Sequence, residues 1–222
     1  MVHENTLTFI SELAINNNKP WFDTHKESYN AAKSDFEEFV GQVLAGLGAA
    51  EPEFLEQKAK DCVFRIFRDV RFSKDKTPYK AHFGASFSKG GRKFMGAGYY
   101  LHIEPGGRSF AGGGLWMPET PMLKAVRQEI DYNYAEFSAA IGGDQFKKYF
   151  SGIEGERVKT FPQGYTADNP AIDYLKMKSF VAMHHLEDDE LKAEDFAGKV
   201  VGIFAAMRPF IDFLNRGIVA GK

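Results

Sequence analysis

Apolar residues along this chain change period twice. Over the first third they return every three or four residues, the repeat that lines one face of a helix. Leu7, Ile10, Leu13 and Ala14 form the first such stripe behind the capping candidates Asn5 and Thr6, and Asn16-Asn17-Asn18 ends it. Pro20 suits a first helical position. From it a second stripe runs through Phe22, Tyr29, Phe36, Phe39, Val40, Val43, Leu44 and Leu47 to a stop at Gly48. In the middle of the chain the period falls to two. Ala81, Phe83, Ala85 and Phe87 alternate with Lys80, His82, Gly84, Ser86 and Ser88, and Ala97, Tyr99, Leu101 and Ile103 alternate with Tyr100, His102 and Glu104. Such alternation marks strands with one buried and one polar face. The β-branched and aromatic residues 62–67 and the stretch 108–111 read as two more strands. Hairpin-like loops fall at Lys89-Gly90-Gly91-Arg92 and Glu104-Pro105-Gly106-Gly107.

Helical spacing resumes at 121–130, 134–141 and 169–177, followed by a strand at 179–185. In the closing helix Phe196, Val200, Ile203, Phe204, Met207, Phe210, Ile211 and Leu214 keep the helical repeat for five turns, with Pro209 expected to kink it. The expected fold class is therefore α+β. A single domain over residues 1–222 would pack an antiparallel β-meander (about residues 61–113) on N-terminal and C-terminal helices, leaving one sheet face or one end for a site.

Composition adds bounds. With 222 residues, 44% hydrophobic and 26% charged, the chain has an ordinary globular balance. Disordered, collagenous and disulfide-scaffold classes are excluded. The single cysteine, Cys62, lies in an apolar run and reads as a buried, inert thiol. An N-terminus without a leader pattern and the lack of any long apolar stretch point to a cytoplasmic protein with no membrane partner. The net charge of −2 hides a polarised distribution. Residues 1–57 carry 3 basic and 10 acidic side chains, whereas residues 58–93 carry 11 and 3.

That basic segment holds the densest chemistry. Read as a strand, it puts Cys62, Phe64, Ile66, Val70 and Phe72 on one face and Arg65, Phe67, Asp69 and Arg71 on the other. Arg68 falls on the apolar side, so the strand should end or bulge near it. Converging guanidiniums suit a phosphate or carboxylate. A small anionic ligand could thus be bound by Arg65, Arg68, Asp69, Arg71, Lys76 and Tyr79, with Asp69 orienting a guanidinium. Two other readings stay open: a nucleic-acid-associated module whose stripe tracks phosphates, and an interaction protein in which Asp69 and Asp75 satisfy these cations internally. If strands 80–88 and 97–104 are neighbours, their polar faces bring together His82, Ser86, Tyr100, His102 and Glu104. His82, His102 and Glu104 are then the candidate acid/base residues. Gly84 and Gly98, inside strands, point to a close approach of a ligand or a neighbouring group. Trp21, His25 and Tyr29, at i, i+4 and i+8, read as a packing edge.

The run Arg65-x-x-Arg68-Asp69-x-Arg71-Phe72-x-x-Asp75-Lys76-x-x-Tyr79 resembles the signature of a bacterial conserved-hypothetical family, also found in longer fungal proteins, called domain of unknown function 2461. The similarity extends to Asn17-Asn18-Lys19-x-Trp21-Phe22, Gly98 to Pro105, Gly114-Leu115-Trp116-x-Pro118 and Arg208-Pro209-Phe210. The resemblance implies membership and brings no activity with it, so whether the chain is an enzyme stays open. Dinucleotide, P-loop, nucleophile-elbow and H-E-x-x-H motifs are absent. His184-His185 before Asp188, Asp189 and Glu190 reads as a solvated helix start, so neither metal nor cofactor is assigned.

Overall fold

The structure, a computed structural model, describes residues 1–91 and 93–220. Among these residues ten helices accompany one four-stranded antiparallel sheet, which is the expected α+β class. Helix α1 (Glu4–Ile15) buries Leu7, Phe9, Ile10 and Leu13. Ala14, expected in that stripe, is exposed, and Phe9 fills the face instead. Thr6 does not cap the helix. Its hydroxyl donates to Asp35 at 2.5 Å.

The one helix expected from Pro20 to Gly48 is two, α2 (Lys19–Thr24) and α3 (Lys26–Gly48). Asn18 caps α2 by accepting the Trp21 amide at 3.0 Å. At the break His25 leaves helical geometry, with φ −109° and ψ 21°. Thr24 Oγ1 and His25 Nδ1 both lie 2.8 Å from the Trp21 carbonyl, which also keeps its bond from the His25 amide at 3.1 Å, so two side chains crowd an oxygen the helical ladder already uses. Beyond the break the apolar stripe holds as expected, with Phe36, Phe39, Val40, Val43, Leu44 and Leu47 all buried.

A short helix α4 (Ala59–Cys62) leads into the basic segment, and Cys62 is buried. The sheet follows, with β1 (Phe83–Phe87), β2 (Gly98–Ile103) and β3 (Ser109–Leu115). Helices α5 (Thr120–Tyr132), α6 (Tyr134–Gly142), α7 (Asp144–Tyr149) and α8 (Ile172–Leu175) precede β4 (Phe180–Leu186), α9 (Asp188–Leu191) and α10 (Phe196–Ala220), which contains Pro209. Strand order is β1-β2-β3-β4. The sheet thus reaches past the expected meander to take in residues 180–186. Strand β3 also runs on through Gly112, Gly113 and Gly114, past the expected stretch 108–111. A Cβ at Gly112 would lie 2.5 Å from the Ala182 carbonyl oxygen, and one at Gly113 equally close to that of Gly98, so only glycine fits these tight ladders. In the turn after β1, Ser88 holds Gly91 by two hydrogen bonds; Arg92, the last residue of the expected loop, lies outside the described residues.

The chain forms two compact units, one from Met1–Lys93, Tyr100–Ala111 and His185–Gly202, the other from Phe94–Tyr99, Gly112–His184 and Ile203–Lys222. In the first, Phe36 stacks on Phe83 and Phe39 on Phe196, with ring centroids 5.3 and 5.0 Å apart. In the second, Tyr99 stacks on Phe204 at 4.9 Å, and the Asn215 side chain bonds both the amide and the carbonyl of Ala97. No helix among the described residues is long and apolar enough to cross a membrane.

Candidate functional site

The basic segment folds as an arm on β1, within the first unit. Residues 63–68 run antiparallel to 78–85 through the bridges Val63 to Ala85 and Phe67 to Tyr79. The Phe64 amide donates to Gly84, Lys80 to Ile66 and Arg68 to Pro78. Residues 62–67, expected as a full strand, therefore make only isolated bridges. The two sides also differ in length. Between the 64/84 and 66/80 bonds lies Arg65 on one side, and Ala81, His82 and Phe83 on the other. This is a bulge of two extra residues, and it explains why β1 starts at Phe83 and not at Lys80.

The arm's tip takes up most of its own charge. Arg68 donates to Asp75 at 2.5 Å, to the Thr77 carbonyl at 3.1 Å and to the Thr77 hydroxyl. Arg71 forks around Asp69, with Nε 2.9 Å from Oδ1 and Nη2 2.6 Å from Oδ2. The two guanidiniums thus take different carboxylates and do not converge on one anion. Asp75 is held down at about 2 by the Thr77 amide and the Arg68 guanidinium, and Asp69 is lowered by Arg71. Lys76 donates to the Val70 carbonyl at 2.9 Å. Arg65 is exposed. Tyr79, expected to bind ligand, is only 4% exposed. Its ring stacks on Phe22 at 4.1 Å and its backbone is bonded by Asn17, which gives it a packing role. Phe72, expected on the apolar face, is 95% exposed, because the ladder ends at Arg68 and the chain turns into the tip.

The sheet residues come together as expected. His82, on the bulge, sets its ring 4.2 Å from that of His102 on β2. His102 Nε2 and Glu104 Oε2 share a 2.8 Å hydrogen bond, and His102 Nδ1 lies 3.5 Å from the Tyr100 hydroxyl. One ligand atom from each of His82, His102 and Glu104 falls within 4.8 Å of the others, and all three residues are half-buried. Burial, reinforced by His102, lowers the His82 imidazole to about 4, so it is neutral at pH 7. Burial pushes the Glu104 carboxyl up, but the hydrogen bonds from His102 and Arg108 outweigh it and hold it below its ordinary value. Burial raises the Tyr100 hydroxyl.

Two residues of this cluster lie outside the expected set. Phe110 stacks on His102 at 4.8 Å, and Arg108 Nε donates to the second Glu104 oxygen at 2.6 Å. Alternation along 108–111 carries the signal for both, since it separates Arg108 and Phe110 from Ser109 and Ala111. Asp188, considered above as part of a solvated acidic run, accepts the Gly106 and Gly107 amides and so fixes the turn between Glu104 and Arg108. Glu187 and Glu190 form a capping box on α9. Such a constellation can exchange a proton through the His102 and Glu104 pair, or hold a cation among two imidazoles and a carboxylate.

No curated protein and no solved structure matches the chain. A family of conserved hypothetical proteins matches residues 5–213, and so the chain, whose sequence already resembled it, belongs to the conserved hypothetical family DUF2461.

Proposed function

We propose that this chain binds a small phosphorylated or carboxylated molecule on the half-buried face of its sheet, and acts on it with His82, His102 and Glu104. The convergence of these three groups within 4.8 Å carries the reading. Rings of Phe64, Tyr100 and Phe110 continue the same face and would shield a bound molecule from water. His102, oriented by Glu104, is the group placed to pass a proton, and His82 to hydrogen-bond an anion oxygen. The arm serves at longer range. With Arg68 and Arg71 occupied by Asp75 and Asp69, its surplus charge draws an anion in by field more than by contact. Thermal melting against inorganic phosphate, a nucleoside monophosphate and small dicarboxylates tests the proposal. At least one should stabilise the chain, with the shift lost in His102→Gln and kept in Arg71→Ala. No shift with any of them, or an equal shift in His102→Gln, refutes it.

A second reading has its own observation. Phe72 stands fully out at the arm's tip with the Arg71 guanidinium 5.9 Å from its ring centre, beside exposed Lys74 and Lys76. An aromatic ring among cations suits a nucleic-acid single strand, with a base on Phe72 and phosphates on the lysines. Retention of a labelled oligonucleotide that falls steeply with salt and vanishes in Phe72→Ser supports it. No retention at low salt removes it, leaving the tip's internal ion pairs to the rival interaction-protein reading.

A further inference from the structure

We infer that His82, His102 and Glu104 form a site for one divalent transition-metal ion of the zinc, cobalt or nickel kind. The three donors come from strand β2, the residue just past its end and the bulge before β1, and already lie within 4.8 Å of one another. An ion about 2.0–2.1 Å from each needs donors roughly 3–3.5 Å apart, which rotation of the side chains supplies. Two nitrogens and one oxygen select borderline divalent ions over magnesium and calcium, which favour all-oxygen shells. Three protein ligands also leave a fourth position open, as in catalytic zinc centres and unlike closed structural ones.

The neighbours act as a supporting shell. His102 Nε2 faces Glu104 Oε2 at 2.8 Å, so the ion takes the place of the hydrogen between them. Its Nδ1 has the Tyr100 hydroxyl at 3.5 Å, a partner of the kind that fixes tautomer and ring orientation, and Phe110 holds the ring plane. Glu104 keeps one oxygen on Arg108, which leaves the other for the ion. Lys80 and Arg108 add positive charge nearby, which weakens the site relative to a closed shell. The inference rests on the small-anion reading in one respect only, that the open position takes the anion; with an ion bound, His82 and His102 would serve as ligands in place of the hydrogen-bond and proton-transfer roles given them above.

Titration of the full chain with Co2+, followed by visible absorption, tests it. The expected result is one ion per chain with the intense spectrum of a four- or five-coordinate ion. Binding is lost in His102→Gln and Glu104→Gln and at least tenfold weaker in His82→Asn. Zn2+ alone should also protect His82 and His102 of the unaltered chain from diethylpyrocarbonate, a measurement independent of whether the variants fold. An octahedral spectrum, equal affinity in the three variants, or absence of protection overturns the inference. Inorganic phosphate separates the two proposals. Phosphate bound by the metal-free chain and lost in His102→Gln, with no Co2+ uptake, keeps the anion reading and ends this one. A Co2+ spectrum that phosphate and carboxylates leave unmoved does the reverse.

Discussion

Gly84 is the position where fold and site meet, and replacing it with alanine has a calculable outcome. A Cβ built there lies 2.5 Å from the Tyr100 hydroxyl oxygen and 3.1 Å from Cζ, closer than side chains tolerate. Forcing such a contact in a packed region costs about 1–3 kcal/mol. Removing a strand glycine offsets about 0.5–1 kcal/mol of that through the unfolded chain. In the unaltered background Gly84→Ala should therefore destabilise by up to about 2.5 kcal/mol. With Tyr100→Ala already in place the clash is gone and only the offset remains, so the same substitution should stabilise. The sign reversal is the test. Urea denaturation of the four proteins gives the coupling energy, provided the m-values agree. A coupling below about 0.5 kcal/mol would mean that Tyr100 does not lie over Gly84 and that the ring face of the site is drawn wrongly.

The core and the arm give three more expectations. Phe36, fully buried and stacked on Phe83, should cost about 3–5 kcal/mol as Phe36→Ala in urea denaturation; a loss under 1 kcal/mol contradicts the packing. Arg68→Ala should speed amide exchange across residues 70–77, because that guanidinium ties Asp75, Thr77 and Ser73 together, whereas Arg71→Ala, on an exposed pair, should not; equal effects would refute the difference in roles. Asp75 has a folded value of about 2 against the ordinary 3.8, so its contribution to stability is complete above pH 3.8 and fades as pH falls toward 2. Its carboxyl carbon shift should titrate near 2 in the native chain, and a midpoint near 3.8 would show that the Thr77 and Arg68 bonds do not persist in solution.

Much of the fold was legible because burial follows period. The stripe from Phe36 to Leu47 and the buried faces of β1 and β2 obey repeats that depend on nothing distant. What periodicity misses is competition for the same backbone group. At the His25 break two side chains share the Trp21 carbonyl with the His25 amide, and no spacing of apolar residues records that. Gly112–Gly114 shows the converse case. Glycine punctuates a chain when read locally, yet here it continues β3 because the Gly98, Phe180 and Ala182 carbonyls, remote in sequence, approach too closely for a Cβ.

The site was legible for a related reason, and its legibility has a limit set by the bulge. Val63 opposite Ala85 and Phe67 opposite Tyr79 belong to registers that differ by two residues, and the extra pair among Ala81, His82 and Phe83 reconciles them. A one-residue slip would have flipped every side chain beyond it to the other face. A two-residue insertion preserves parity, so alternation keeps His82 on its expected face through an interruption it cannot reveal, although Ser88 at the end of the run is buried. Hence His82 was assigned to the right face and grouped with His102 and Glu104, while the irregularity that releases it from the ladder to meet them stayed hidden. The basic segment was legible in part, since Arg71 and Arg65 both lower the Asp69 carboxyl, as a shared face requires. Their spacing placed Arg65, Asp69 and Arg71 on one face by extending a strand past Arg68, where the ladder stops. Beyond that point the tip is organised by which carboxylate each cation can reach, and strand parity no longer applies.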